Sequence, residues 1–337
     1  MDNRITKTRL GNLLSYDWLK IIAIIIAIAL VWSLAFTTGA PRASVGQTFG
    51  LFTYAPDFEK AKDEGTLLSE AKADGAFSYD ILDFNVRSMQ KDYYATIMTA
   101  ANSVQEGDIF VTSDFAETQE KNQSPFRSFV DGYGSVVYDL DALVSDAKSY
   151  ALSNGIVQKD GKYTVDDAVV ASKFAERMKK DPRFRNTQSQ KYADGLKSEK
   201  ERMISVWNNA IILENVLKNH PELRVNYRMF DQTINAIDEA DREKSDYYKY
   251  WQEETEKTYA INLGKLTGGK ESITSLYSRQ IEVEGEDPVV SADGVVLCVF
   301  NYKEFQPDLQ YETLGYINYM IKKYSDFADL SNNELIK

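Results

Sequence analysis

Chemistry in this 337-residue chain would be sought at its histidine, its cysteine, its acid pairs and its glycine runs, and inventory constrains each of them. His220 is the single histidine and Cys298 the single cysteine. A nucleophilic triad needs a base held beside a serine or thiol. His220 precedes Pro221, with no glycine-flanked serine of the elbow type to serve, so a surface role at a helix end is expected. One cysteine and one histidine supply no recognisable zinc spacing. Asp139-Leu-Asp141 and Asp166-Asp167 do not continue into the Asp-x-Asp-x-Asp-Gly loop that wraps calcium, and solvated helix faces account for them.

The run Leu263-Gly-Lys-Leu-Thr-Gly-Gly-Lys270 lacks the four residues that a Walker loop places between its first glycine and Gly-Lys-Ser/Thr, so it reads as a turn. Paired carboxylates for glycoside cleavage are available among 51 acids, but nothing selects a pair. The expectation is therefore a non-enzyme with no catalytic residue, metal or cofactor. Aromatic side chains, 21 Tyr and 16 Phe, suit sugars and peptides as well as core packing, and most belong in the core.

These residues are carried by a recognisable order of elements. Gln47 to Tyr54 alternates apolar and polar or small residues and reads as a strand ending at Pro56. Asp57 to Lys72 reads as an exposed helix, Ser78 to Val86 as a strand, Asp92 to Val104 as a helix and Asp108 to Ser113 as an apolar strand. That alternation is the pattern of a parallel sheet covered by helices. From Val136 to about Asn219 the chain is helical, with Met203, Val206, Ala210, Leu213 and Leu217 spaced by three and four. A further helix is predicted over Asp231 to Tyr259. Gly294 to Asn301 is a near-continuous apolar strand and Leu309 to Tyr324 an amphipathic helix, a pair able to rejoin the first sheet.

Ahead of all this lies an uncharged stretch from Ile21 to Pro41, mostly Ile, Ala, Leu and Val in its first part. Residues 19–40 supply the length of a transmembrane anchor, with Trp18 and Trp32 as interfacial residues. Arg4, Lys7, Arg9 and Lys20 precede it and only Arg42 follows before Lys60. The positive-inside rule then predicts residues 1–18 as a cytoplasmic tail and the rest as extracellular, single-pass in the cell membrane. Cleavage after Ala40 or Ala43 would meet Pro41 at the next or the −3 position, so an uncleaved signal anchor is expected.

Five of the 39 basic and two of the 51 acidic residues fall in the first 42 positions, leaving 34 against 49, a formal −15, on the remainder. Such a surface repels phosphate backbones and excludes nucleic acid as a partner. One cysteine allows no intrachain disulfide.

Gln47 to Tyr54, Tyr94 to Asn102 and Glu106-Gly-Asp-Ile-Phe-Val-Thr-Ser-Asp114 resemble the first lobe of type 2 extracellular solute-binding proteins of ABC importers. Val295 to Asn301 and Leu309 to Tyr324 resemble the return into that lobe. The resemblance implies an α/β lobe over residues 47–145 and 290–325. Residues 146–289 form a mainly helical insertion or degenerate second lobe, with Arg224 to Phe230 and Ser278 to Val283 as its strands. It also implies non-catalytic capture of a small solute, a sugar or peptide, beside an ABC permease. The alternative is a structural or assembly protein that binds another membrane or envelope protein. Ligands of open parallel sheets sit beyond the carboxyl ends of strands. The candidate ligand residues are therefore Tyr54, Arg87, Thr112, Ser113, Asp114, Asn301 and Tyr302, faced by Trp207 or Trp251 from the helical part.

Overall fold

The computed structural model describes residues 11, 18–39, 43, 47–78, 81–115, 124–158, 163–179, 181–229, 256–282, 287–302 and 312–327. In chain order the first half holds α1 (Trp18–Gly39), β1 (Thr48–Tyr54), β2 (Glu59–Lys60), α2 (Glu64–Ala73), β3 (Asp83–Ser88), α3 (Tyr94–Val104), β4 (Ile109–Ser113), α4 (Pro125–Tyr133) and α5 (Leu140–Ser153). The second half holds α6 (Asp167–Arg177), α7 (Gln190–Asn219), β5 (Arg224–Tyr227), β6 (Lys257–Asn262), β7 (Tyr277–Ile281), β8 (Val289–Ser291), β9 (Val295–Val299) and α8 (Glu312–Tyr324).

Six strands form one mixed sheet in the order β3-β1-β4-β9-β6-β5, and β2, β7 and β8 form a small separate one. β1 runs parallel to β3 and β4, whereas β9 is antiparallel to both β4 and β6. Side chains alternate strictly between two covered faces. Phe49, Leu51, Ile109, Val111, Val295, Leu297 and Val299 meet α2, α5, α7 and α8 in the first core. Phe52, Phe110, Val296, Cys298 and Phe300 meet α3 and α4 in the second. Burial on both faces is why β4 and β9 read as unbroken apolar runs.

Several elements differ from the sequence reading. The helix expected from Asp57 begins at Glu64, because Asp63 caps it by accepting from the Thr66 N–H at 2.9 Å, and Glu59 and Lys60 pair with β7 instead. Lys257 to Tyr259, expected to end a helix, open β6. Residues 231–255 of that predicted helix, Trp251 among them, lie outside the described residues. From the segment expected as an insertion or degenerate second lobe, β5 and β6 extend the same sheet, and the α6 and α7 side chains Val170, Met203 and Leu213 enter the first core.

The transmembrane anchor expected over residues 19–40 is overturned: among the described residues no helix is long and apolar enough to cross a membrane. The orientation inferred from the flanking charges loses its basis with it. The helix does leave apolar groups uncovered, Ile25 being 59% and Trp32 67% exposed.

Candidate functional site

The carboxyl ends of β1 and β4, where ligand contacts were expected, are committed internally. Thr112 Oγ1 donates to the Tyr54 carbonyl at 2.8 Å, and the Tyr54 ring stacks on Tyr94 with centroids 4.4 Å apart. Ser113 Oγ donates to Asp57 Oδ2 at 3.1 Å. Asp114 accepts from Ser124 Oγ at 2.6 Å and Arg127 Nε at 3.2 Å, joining the end of β4 to the N-cap of α4.

Above this edge sits the small sheet. The Arg279 guanidinium of β7 covers the Phe115 ring at 3.7 Å. Buried Glu64 accepts hydroxyl protons from Thr53 and Tyr277, and Lys60 lies 2.8 Å away.

The remaining candidates do not converge there. Because β9 is antiparallel, its carboxyl end lies at the opposite edge, where the Asn301 N–H donates to the Val136 carbonyl and Tyr302 stacks on Phe300. Arg87 turns onto the second face, pairing with Glu106 at 2.7 Å over the Phe52 ring. Trp207 packs half-buried against the first core.

His220 caps the end of α7, stacked on Phe327 and 3.2 Å from Glu222. Cys298 is fully enclosed, and burial pushes its thiol pKa well up. The glycine run is a packing feature: a Cβ on Gly264 would meet the Ala292 carbonyl oxygen at 2.3 Å. Among the described residues no group of three or more His, Cys, Asp or Glu could hold a metal.

Open cavities lie elsewhere among the described residues. One of about 290 Å³ is bounded by Asn85 and the Gln105–Asp108 turn, and one of about 350 Å³ by Lys270, Lys322 and Lys323 with Asp74, Glu271 and Tyr319. A further cavity of about 350 Å³ lies between α7, α8 and the Gly75–Ser78 loop. It sits toward the amino end of β1, since Phe77 on its wall packs on Phe49 with centroids 4.6 Å apart.

Helical spacing builds that cavity. With about 3.6 residues per turn, Ser198, Arg202, Ser205 and Asn209 lie along one face of α7, while Met203, Ala210 and Leu213 face the core. The floor is ionic. Arg202 Nε donates to Glu312 of α8 and its Nη1 to Glu199 at 3.4 Å, and Arg177 of α6 also reaches Glu199 at 3.4 Å. Arg202 and Glu199 side chains are 2% and 0% exposed.

Glu312 takes a second bond from the Ser78 N–H at 3.2 Å, so one carboxylate ties the loop to two helices. Burial pushes its pKa up, but the Arg202 charge, the Ser78 N–H and Arg177 outweigh that and hold it below the ordinary carboxylate value. Gly315 admits the loop, since a Cβ there would lie 2.3 Å from the Ala76 carbonyl oxygen.

Sequence spacing did not find this site. Its one legible signal was charge on an apolar stripe, Glu199 and Arg202 each standing four residues before Met203 and Val206. The arrangement can hold a small polar molecule. It brings no histidine to Ser198 or Ser205, because His220 is about 22 Å farther along α7 from Ser205.

No protein-family model, no curated protein and no solved structure matches the chain.

Proposed function

We propose that the chain captures a small polar solute without transforming it, as a solute-binding-like partner of an ABC importer. The observation that carries the reading is the cavity between α7 and α8, with its polar walls and buried Arg202–Glu312 floor. A binding site needs its donors and acceptors held before the ligand arrives, and a floor tied to α6, α8 and the Gly75–Ser78 loop supplies that. The sheet also brings together the segments that resemble the solute-binding lobe, β1, β4 and β9 being neighbours.

Thermal unfolding of the purified full chain against sugars, amino acids and short peptides tests this reading. A ligand that binds only the folded state raises the midpoint. No shift with any class would overturn it.

A second reading, an assembly protein that binds a membrane or envelope protein, draws on α1. Among the described residues Ile22, Ile25 and Ile28 of that helix are exposed, an apolar surface of the kind that another protein can cover. Photo-crosslinkers at Ile25 and Val31 in cells would yield one defined adduct under that reading and none under solute capture alone.

A further inference from the structure

We propose that the α7–α8 cavity takes a neutral polyhydroxylated molecule the size of a single sugar ring. This rests on the solute-capture reading and narrows it to one chemical class.

The volume of about 350 Å³ is at the small end for ligand cavities, which fits one ring and leaves little room for a peptide with charged termini. Charge selects next. Arg177 and Arg202 are matched by Glu199 and Glu312, and the rim adds the exposed carboxylate of Glu201. The local sum is neutral to negative. A phosphate or carboxylate would have to compete with two buried carboxylates for Arg202, so anions are disfavoured. An ammonium would find only Glu201, whose screened charge holds it weakly.

The walls complete the case. Asn209 Oδ1 is turned to Asn318 Nδ2 at 3.3 Å, and Asn209 Nδ2 comes within 3.5 Å of where a Gly315 Cβ would stand, at the cavity wall. Ser198 offers a hydroxyl one turn before Arg202, and Glu201 an acceptor beside it. Sugar hydroxyls donate and accept together, so they suit a wall of mixed amide, hydroxyl and carboxylate groups. An apolar ligand would strip water from those groups without replacing its bonds. Phe77 and Val206 give the C–H side of a ring an apolar surface.

Isothermal titration of the full chain with D-glucose, D-xylose and myo-inositol, set beside glucose 6-phosphate and L-alanine, tests the proposal. The expected result is saturable binding of at least one neutral polyol, about tenfold or more tighter than glucose 6-phosphate. Asn209→Leu should weaken it by about tenfold, the scale of one lost hydrogen bond, and Ser198→Trp by at least as much, because the indole fills part of the cavity. Equal or tighter binding of the phosphate or of L-alanine would overturn the ligand class and leave capture standing. Polyol binding untouched by both variants would overturn the assignment to this cavity. Silence with every probe would overturn the ligand class, and silence in the thermal test with short peptides as well would remove the capture reading itself.

Discussion

The two ends of the six-stranded sheet treat their polar residues in opposite ways. At the carboxyl ends of β1 and β4, Thr112, Ser113 and Asp114 each hold a partner within the fold, and the small sheet closes over them through Arg279 and Tyr277. Toward the amino ends, a loop held off α7 leaves a cavity in which Asn209 and Ser198 line open space above a fixed ionic floor. The rule that ligands collect beyond strand carboxyl ends is about loops that diverge and leave a crevice. Here the turn after β1 runs at once into β2 and its partner β7, and the crevice is filled.

The largest test of that contrast strikes the floor. Glu312→Ala removes the acceptor of the Arg202 guanidinium and of the Ser78 N–H in a buried setting. Breaking such a pair from one side costs about 3–5 kcal/mol, because the remaining charge stays buried. Urea unfolding should show a loss of that size with an unchanged slope. A loss under about 1 kcal/mol would mean that water reaches the cluster and that the floor is no rigid platform.

At the opposite edge Asp114→Ala should cost about 1 kcal/mol by the same measurement. It removes the acceptor of Ser124 and of Arg127, whose side chain is 41% exposed. Ligand affinity should not change, since Asp114 lies at the other end of the strands. A tenfold loss of affinity in this variant would return the site to the carboxyl edge.

How far the sequence carried can be judged from these same residues. β4 and β9 were legible because both faces are covered, and α7 because its apolar stripe from Met203 to Leu217 repeats over about four turns. The direction of β9 was not. An apolar run carries no sign of polarity, so Asn301 and Tyr302 were placed at the wrong edge. Nor could spacing join Arg202 to Glu312, which are 110 positions apart. The apolar composition of α1 was plain, but composition alone did not decide what that helix can cross. Strand propensity at Lys257 to Tyr259 was masked by the charged, helix-forming residues before it, and pairing of Lys257 and Thr258 with β5 decides the matter.

A half-exposed ion pair gives the buried floor its reference. Asp141 accepts two bonds from Arg224, at 2.6 and 2.8 Å, and that contact holds its pKa below the ordinary 3.8, with burial acting against it. A carboxylate with a depressed folded-state pKa stabilises the fold above its unfolded value and loses that contribution as pH falls through the folded one. Asp141→Asn should therefore cost about 0.5–1 kcal/mol at pH 7 and nothing below the depressed pKa. Unfolding curves of variant and parent chains between pH 7 and pH 2 should converge. A gap that persists in acid would mean that the pair is held by packing and not by charge.

The smallest effect concerns the rim. Glu201 is 66% exposed, with Lys197 as a distant partner at 3.9 Å, so Glu201→Gln should leave stability within about 0.5 kcal/mol. Its charge nevertheless faces whatever enters the cavity. Removing one screened negative charge several ångströms from a phosphate relieves about 0.5–0.8 kcal/mol. Glucose 6-phosphate should then bind about threefold more tightly while glucose changes little. That pairing of a silent stability and a class-selective affinity separates a rim that screens ligands by charge from one that is only solvated surface. If both ligands shift together, Glu201 holds a hydroxyl instead, and the discrimination against anions rests on the neutralised Arg202 alone.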